Sequence, residues 1–204
     1  MPNDLPCGSN KPADTQSTEP SRLSVLWTIG HSTRPIVEFI GLIQTHDIQL
    51  LADVRTIPYS RHNPQYNQDT LAKSLKGSNI RYQHILPLGG RRKSRPDSVN
   101  VGWKNEGFRG YADYMQTQEF WNALEDLMAT AQRLPVVIMC AEAVPWRCHR
   151  SLISDALVIR GWTVQHIISA NSLQSHTLTP FAKLEDNRLT YPAEDPQDST
   201  LPFF

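Results

Sequence analysis

Residues 135–140 read Pro-Val-Val-Ile-Met-Cys, the most apolar stretch of the chain. Six residues are too few for a buried helix and typical for a strand. A strand puts successive side chains on opposite faces, so a run that is apolar throughout must be covered on both. That is the condition of a strand inside a parallel sheet, with helices on each side. The rest of the chain has to supply those partners and those helices.

It does so in alternation. Residues 22–29 and 48–54 give two further strands, and residues 80–86 a third. Between the first two lies a helix opened by Pro35, with Phe39, Ile40, Leu42 and Ile43 on its apolar face. Residues 69–76, with Gly77 near the C-cap, read as a second helix. Two more are predicted at 108–115 and 119–132, where Phe120, Leu124, Leu127 and Met128 share a face. After the apolar strand come a polar turn, a helix over 148–160 capped by Gly161, and a last strand at 163–168. The alternation predicts a three-layer α/β sandwich, flavodoxin-like or rhodanese-like, around a mainly parallel sheet of about five strands.

The expected organisation is one α/β domain over residues 22–170, with a disordered polar tail at 1–21 that offers little apolar surface to bury. Residues 171–204 read as a loosely packed polar tail, whose Leu201-Pro202-Phe203-Phe204 end could still dock. Residues 91–107 lack periodicity and read as a long surface loop, mobile and placed to close over a ligand. Lys plus Arg number 20 and Asp plus Glu also 20, so no overall field draws the chain to nucleic acid or to an anionic membrane. A local basic patch, Arg91-Arg92-Lys93-Ser94-Arg95, reads more simply as a solvated loop. No apolar run spans a bilayer, no secretory signal is visible, and three cysteines are an odd number. Reduced thiols in a cytoplasmic protein are expected.

Ligands of open parallel sheets bind beyond the carboxyl ends of the strands. The polar signatures of this chain gather at such ends: Gly30-His31-Ser32, Asp53-Val54-Arg55, and Cys140-Ala141-Glu142 with Cys148-His149-Arg150 beyond it. They are expected to form one site. Cys140 is either a reactive thiolate beside a helix N-terminus or a small core residue. Six residues separate it from Arg147, one more than in the Cys-to-Arg loop of thiol phosphatases, and the loop lacks glycine. A metal is not expected, because no Cys-x-x-Cys pair exists and the adjacent Cys148 and His149 should diverge at a helix start. Cys148 is expected to pack inward, leaving His149 or Arg150 facing the site. Asp53 and Arg55 form either a catalytic pair or a structural ion pair. Arg55, Arg61 and Arg150 have the fork geometry for a phosphate or carboxylate, with Ser32 and His149 alongside. His31 is either a general base or a cap for backbone groups.

These blocks, together with Thr28-Ile29, Pro58, Ser60 and Leu88-Gly89-Gly90, resemble the signature blocks of a bacterial family, domain of unknown function 488, over residues 28–168. The resemblance implies a three-layer α/β fold and no established activity. The Asp-Val-Arg strand end and the strand–Cys–loop–helix unit also look like rhodanese domains. The longer loop, with Glu142 and Pro145, departs from the short catalytic loop of those domains and argues against sulfur transfer. Two functions follow. One is an enzyme acting on an anionic or nucleotide-derived substrate, with chemistry on Cys140 or Glu142 and a proton handled by His31 or Asp53. The other is a module that binds a small anion or nucleic acid without turning it over. No cofactor is identified by either reading.

Overall fold

The structure is a computed structural model that describes residues 25–193; the expected N-terminal tail, residues 22–24 and the apolar end at 201–204 lie outside the described residues. A six-stranded sheet forms the middle layer. Its strands are β1 (Val25–Gly30), β2 (Leu50–Asp53), β3 (Arg81–His84), β4 (Val136–Cys140), β5 (Thr163–Ser169) and β6 (Ser172–Ser175), in the order β3-β2-β4-β1-β5-β6. The first five are mutually parallel and β6 pairs antiparallel with β5.

The apolar run is β4, and all five of its residues are buried. Val136, Ile138 and Cys140 face one layer, Val137 and Met139 the other. The second of these layers holds α1 (Ile36–Gln44) and α2 (Gln68–Lys76), through Phe39, Leu42, Ile43, Leu71 and Leu75. The first holds α3 (Glu106–Tyr114), α4 (Gln118–Ala131) and α5 (Arg150–Ile159), through Tyr111, Phe120, Leu124, Leu152 and Ala156. The three-layer sandwich expected of the sequence is the observed fold. Among the described residues no helix is long and apolar enough to cross a membrane.

Element ends depart from the periodicity where local chemistry intervenes. The Asn105 side chain accepts from Gly107 N and Phe108 N, so α3 starts two residues before the predicted 108. β3 stops at His84 because Leu86–Leu88 turns into a 3-10 helix around Pro87. The expected helix over 148–160 begins at Arg150, after a 3-10 turn at Pro145–Arg147.

The C-terminal segment is the larger departure from the loosely packed tail expected at 171–204. Residues after β6 form a hairpin of β7 (Lys183–Glu185) and β8 (Arg188–Thr190). Leu189 and Tyr191 are buried in the main core. Tyr191 donates its hydroxyl to Asp155 Oδ2 (2.9 Å), and its N–H to Asn100 Oδ1 (2.9 Å). Residues 89–105 contain no helix or strand, as the missing periodicity implies, but they are tied down. The Asp113 carboxylate accepts from Arg95 N (2.8 Å), Ser98 Oγ (2.5 Å) and Asn100 Nδ2 (2.8 Å), and Asn100 is fully buried. One of these bonds is buried and two are partly buried, so Asp113 anchors the middle of the segment.

Candidate functional site

β1 leads through α1 to β2, passing beyond β4; β4 leads through α5 to β5, passing beyond β1. The two connections leave adjacent strands in opposite directions, which opens a crevice at their carboxyl ends. A cleft of about 650 Å³ lies there, within the range of small-molecule sites. Two glycines make it possible. A Cβ at Gly30 would overlap the Glu142 carbonyl, so the loop after β4 can cross β1 only there. A Cβ at Gly90 would overlap the His149 ring, which takes the space a side chain there would fill.

The floor of the cleft holds Cys140, Cys148 and His149. His149 Nδ1 lies 3.9 Å from Cys140 Sγ and 3.6 Å from Cys148 Sγ. Its Nε2 is 3.0 Å from the Val54 carbonyl oxygen, which can only accept, so Nε2 donates there and Nδ1 faces the two sulfurs. The Cys140 thiol is pushed well up, first because it donates to Cys148 and then by burial. Burial also raises Cys148, but the Cys140 hydrogen bond, His149 and Arg150 outweigh it and hold Cys148 well below the ordinary thiol value. Arg150 Nε donates to the Cys148 sulfur at 3.4 Å. The pair thus places the thiolate character on Cys148, while Cys140, read from the sequence as either a reactive thiolate or a small core residue, is buried. The expected divergence of Cys148 and His149 fails for a geometric reason. Cys148 is extended (φ −142°, ψ 146°), so these neighbours precede the helix and both reach the floor.

Asp53 and Arg55 form a buried pair behind the cleft. Arg55 Nε donates to Asp53 Oδ1 (2.9 Å) and its Nη2 to Oδ2 (2.5 Å) and to the Tyr66 carbonyl (2.8 Å). Tyr82 donates its hydroxyl to the same carboxylate (2.8 Å), so Asp53, fully buried, has its oxygens occupied and does not line the cleft. Arg55 reaches the cleft and places Nη1 3.3 Å from His31 Nε2. His31 donates from Nδ1 to the Ser32 carbonyl (2.8 Å) and stacks on Tyr66 at 4.1 Å. Burial lowers its pKa from 6.5 to about 4, against the pull of that backbone bond, so the ring is neutral at physiological pH and its lone pair faces Arg55.

Arg150 is 1 % exposed and does not reach the cleft. Besides Cys148 it serves the Glu142 carbonyl and Thr28 Oγ1 (3.4 Å). From Thr28 a buried chain continues to His166 Nδ1 (2.8 Å), from His166 Nε2 to His176 Nδ1 (3.0 Å), and from His176 Nε2 to Asp155 Oδ1 (2.8 Å). The chain runs from the Arg150 guanidinium at one end to the Asp155 carboxylate at the other. Sequence reasoning missed this chain, because Thr28, His166 and Asp155 lie on three separate elements and His176 in the loop after β6.

Of the residues expected to converge, His31, Ser32, Arg55, Cys140, Glu142 and His149 line the cleft. Asp53 and Arg150 stand behind it as supports. Arg61 is exposed and lies outside the lining, while Arg91, read as part of a solvated loop, and Arg147, named only for its spacing from Cys140, are in it.

Fold and site together define a parallel α/β protein with a two-thiol, one-imidazole floor at the switch point of its sheet. The chain belongs to the family described as domain of unknown function DUF488, whose model matches residues 35–157, more than half of its length. No curated protein and no solved structure matches it.

Proposed function

We propose that the cleft binds an anionic small molecule and that the protein is an enzyme acting on it at the Cys140–Cys148–His149 floor. One observation carries this reading: two guanidinium groups, Arg91 and Arg147, line with the Asp53-paired Arg55 a cleft whose lining holds a single carboxylate, Glu142, and whose floor is two sulfurs and the Nδ1 of an imidazole. Guanidinium forks suit phosphate and carboxylate oxygens, and a concave site strengthens them. A small anion is preferred to nucleic acid because the basic run is largely committed. Arg92 bonds the Gly89 and Pro87 carbonyls and lies over the Tyr114 ring, and Arg95 pairs with Asp97.

A second reading, a binding module without turnover, is favoured by one fact. His31 and Asp53, the residues expected to move a proton, have their lone pairs committed, which leaves Glu142 and His149 as the groups facing the cleft. Isothermal calorimetry with inorganic phosphate and a series of nucleoside mono- and diphosphates tests the anion site. Binding that weakens at least ~10-fold in both Arg91→Ser and Arg147→Ser, and that falls with added salt, supports it; binding untouched by either change refutes it. Phosphorus NMR of the bound nucleotide after prolonged incubation then separates enzyme from module.

A further inference from the structure

We infer that Cys140, Cys148 and His149 hold a soft divalent metal ion of the zinc class, with its fourth coordination position open to the cleft. The ligand atoms of these residues all lie within 4.8 Å of one another. A tetrahedral zinc with bonds of about 2.3 Å to sulfur and 2.0–2.1 Å to nitrogen requires sulfur–nitrogen edges of about 3.5 Å. The observed sulfur–nitrogen distances are 3.6 and 3.9 Å, so small side-chain movements close the set around an ion.

Three further features point the same way. A metal-binding imidazole commonly donates its other N–H to a carbonyl or carboxylate, which fixes the ring and its tautomer. His149 does this with Val54, and its ring fills the space that a side chain at Gly90 would take. A coordinated thiolate commonly accepts an N–H, and Arg150 Nε is already directed at Cys148. Finally, three protein ligands with an open position are the pattern of catalytic rather than structural zinc sites. The open side here faces the cleft, whose lining holds one acidic side chain, Glu142.

The charge balance is simple. The ion binds as a dication to two thiolates and the imidazole Nδ1, and any proton still on Cys140, Cys148 or Nδ1 leaves to solvent. Two thiolates neutralise the ion, and the neighbouring Arg150 leaves the assembly net positive. An anion in the open position therefore meets attraction. The metal site stands on its own geometry and does not depend on the anion reading.

The test is a cobalt(II) titration of the full chain, purified under reducing conditions and stripped with chelator. A tetrahedral site with two thiolates gives sulfur-to-cobalt charge transfer in the near ultraviolet and intense visible ligand-field bands. The expected result is saturation at one cobalt per chain, with displacement by zinc. Cys148→Ser and His149→Ala should each weaken binding more than ~100-fold, beyond the ~10–100-fold of an outer-shell change. Zinc should also protect both Cys140 and Cys148 of the unaltered chain from maleimide, a reading that needs no variant to fold. Absence of charge-transfer bands, bands that persist in Cys148→Ser, or equal alkylation with and without zinc would each overturn the inference.

Discussion

His166 provides the sharpest quantitative test of how the interior is wired. Its ring is buried between Thr28 and His176, close to the Arg150 guanidinium. Burial first, and then the nearby His176 and Arg150, lower its pKa from 6.5 to about 3. The unfolded chain therefore takes up a proton on this ring below pH 6.5 while the folded chain does not. Stability from the neutral ring is complete above pH 6.5 and is lost progressively as pH falls towards 3. The total corresponds to about 5 kcal/mol at 1.36 kcal/mol per pH unit, of which roughly 2 kcal/mol disappears between pH 7 and pH 5. Urea unfolding of the chelator-stripped chain and of His166→Asn at both pH values reads this directly. The variant should be less stable at pH 7, because Thr28 and His176 lose a ring between them. It should also lose about 2 kcal/mol less than the unaltered chain on going to pH 5. Equal losses in the two proteins would refute the reasoning, as would a His166 ring resonance that titrates above pH 5.

Four other outcomes follow from the packing. Tyr191→Ala should cost about 3–5 kcal/mol by equilibrium unfolding, since a fully buried ring and a bond to a buried carboxylate are lost together. Asp113→Ala should release the segment it holds, so trypsin should cut between Arg91 and Lys104 in the variant and leave that stretch intact in the unaltered chain. Gly90→Ala should leave the circular dichroism spectrum nearly unchanged while abolishing cobalt binding, because the added methyl displaces the His149 ring. Asp53→Asn should lower the melting temperature sharply, since it leaves the buried Arg55 charge without its partner, typically a loss of about 3–5 kcal/mol.

The layers of the fold are legible in the sequence because each depends on a short-range pattern. β4 is apolar at every position, α1 repeats its apolar residues at helical spacing, and Pro35 stands just before that helix. The strands of the C-terminal segment are not legible, because Ser172–Ser175 and Lys183–Glu185 are exposed and carry little apolar signal. Their anchor, Tyr191, is a single residue whose partners Asn100 and Asp155 are remote in sequence. For the site, its place at strand ends is readable from topology alone. The distribution of roles is not. Whether Asp53 faces a ligand or Arg55 depends on Tyr82 and Tyr66, which arrive from other elements. The convergence of Cys148 with His149 depends on one extended residue before a helix, and no periodicity records that.

The buried run from Cys148 through Arg150, Thr28, His166 and His176 to Asp155 ends where Thr179 and Tyr191 are fastened. It joins the cleft floor to the segment that follows β6. Thermodynamic coupling of this kind is reciprocal. Whatever occupies the floor and steadies Arg150 should slow amide hydrogen exchange around His176 and Thr179, and loosening those residues should weaken the occupant by the same factor. The last described strands of the chain would then act as a remote gauge of whether the cleft is filled.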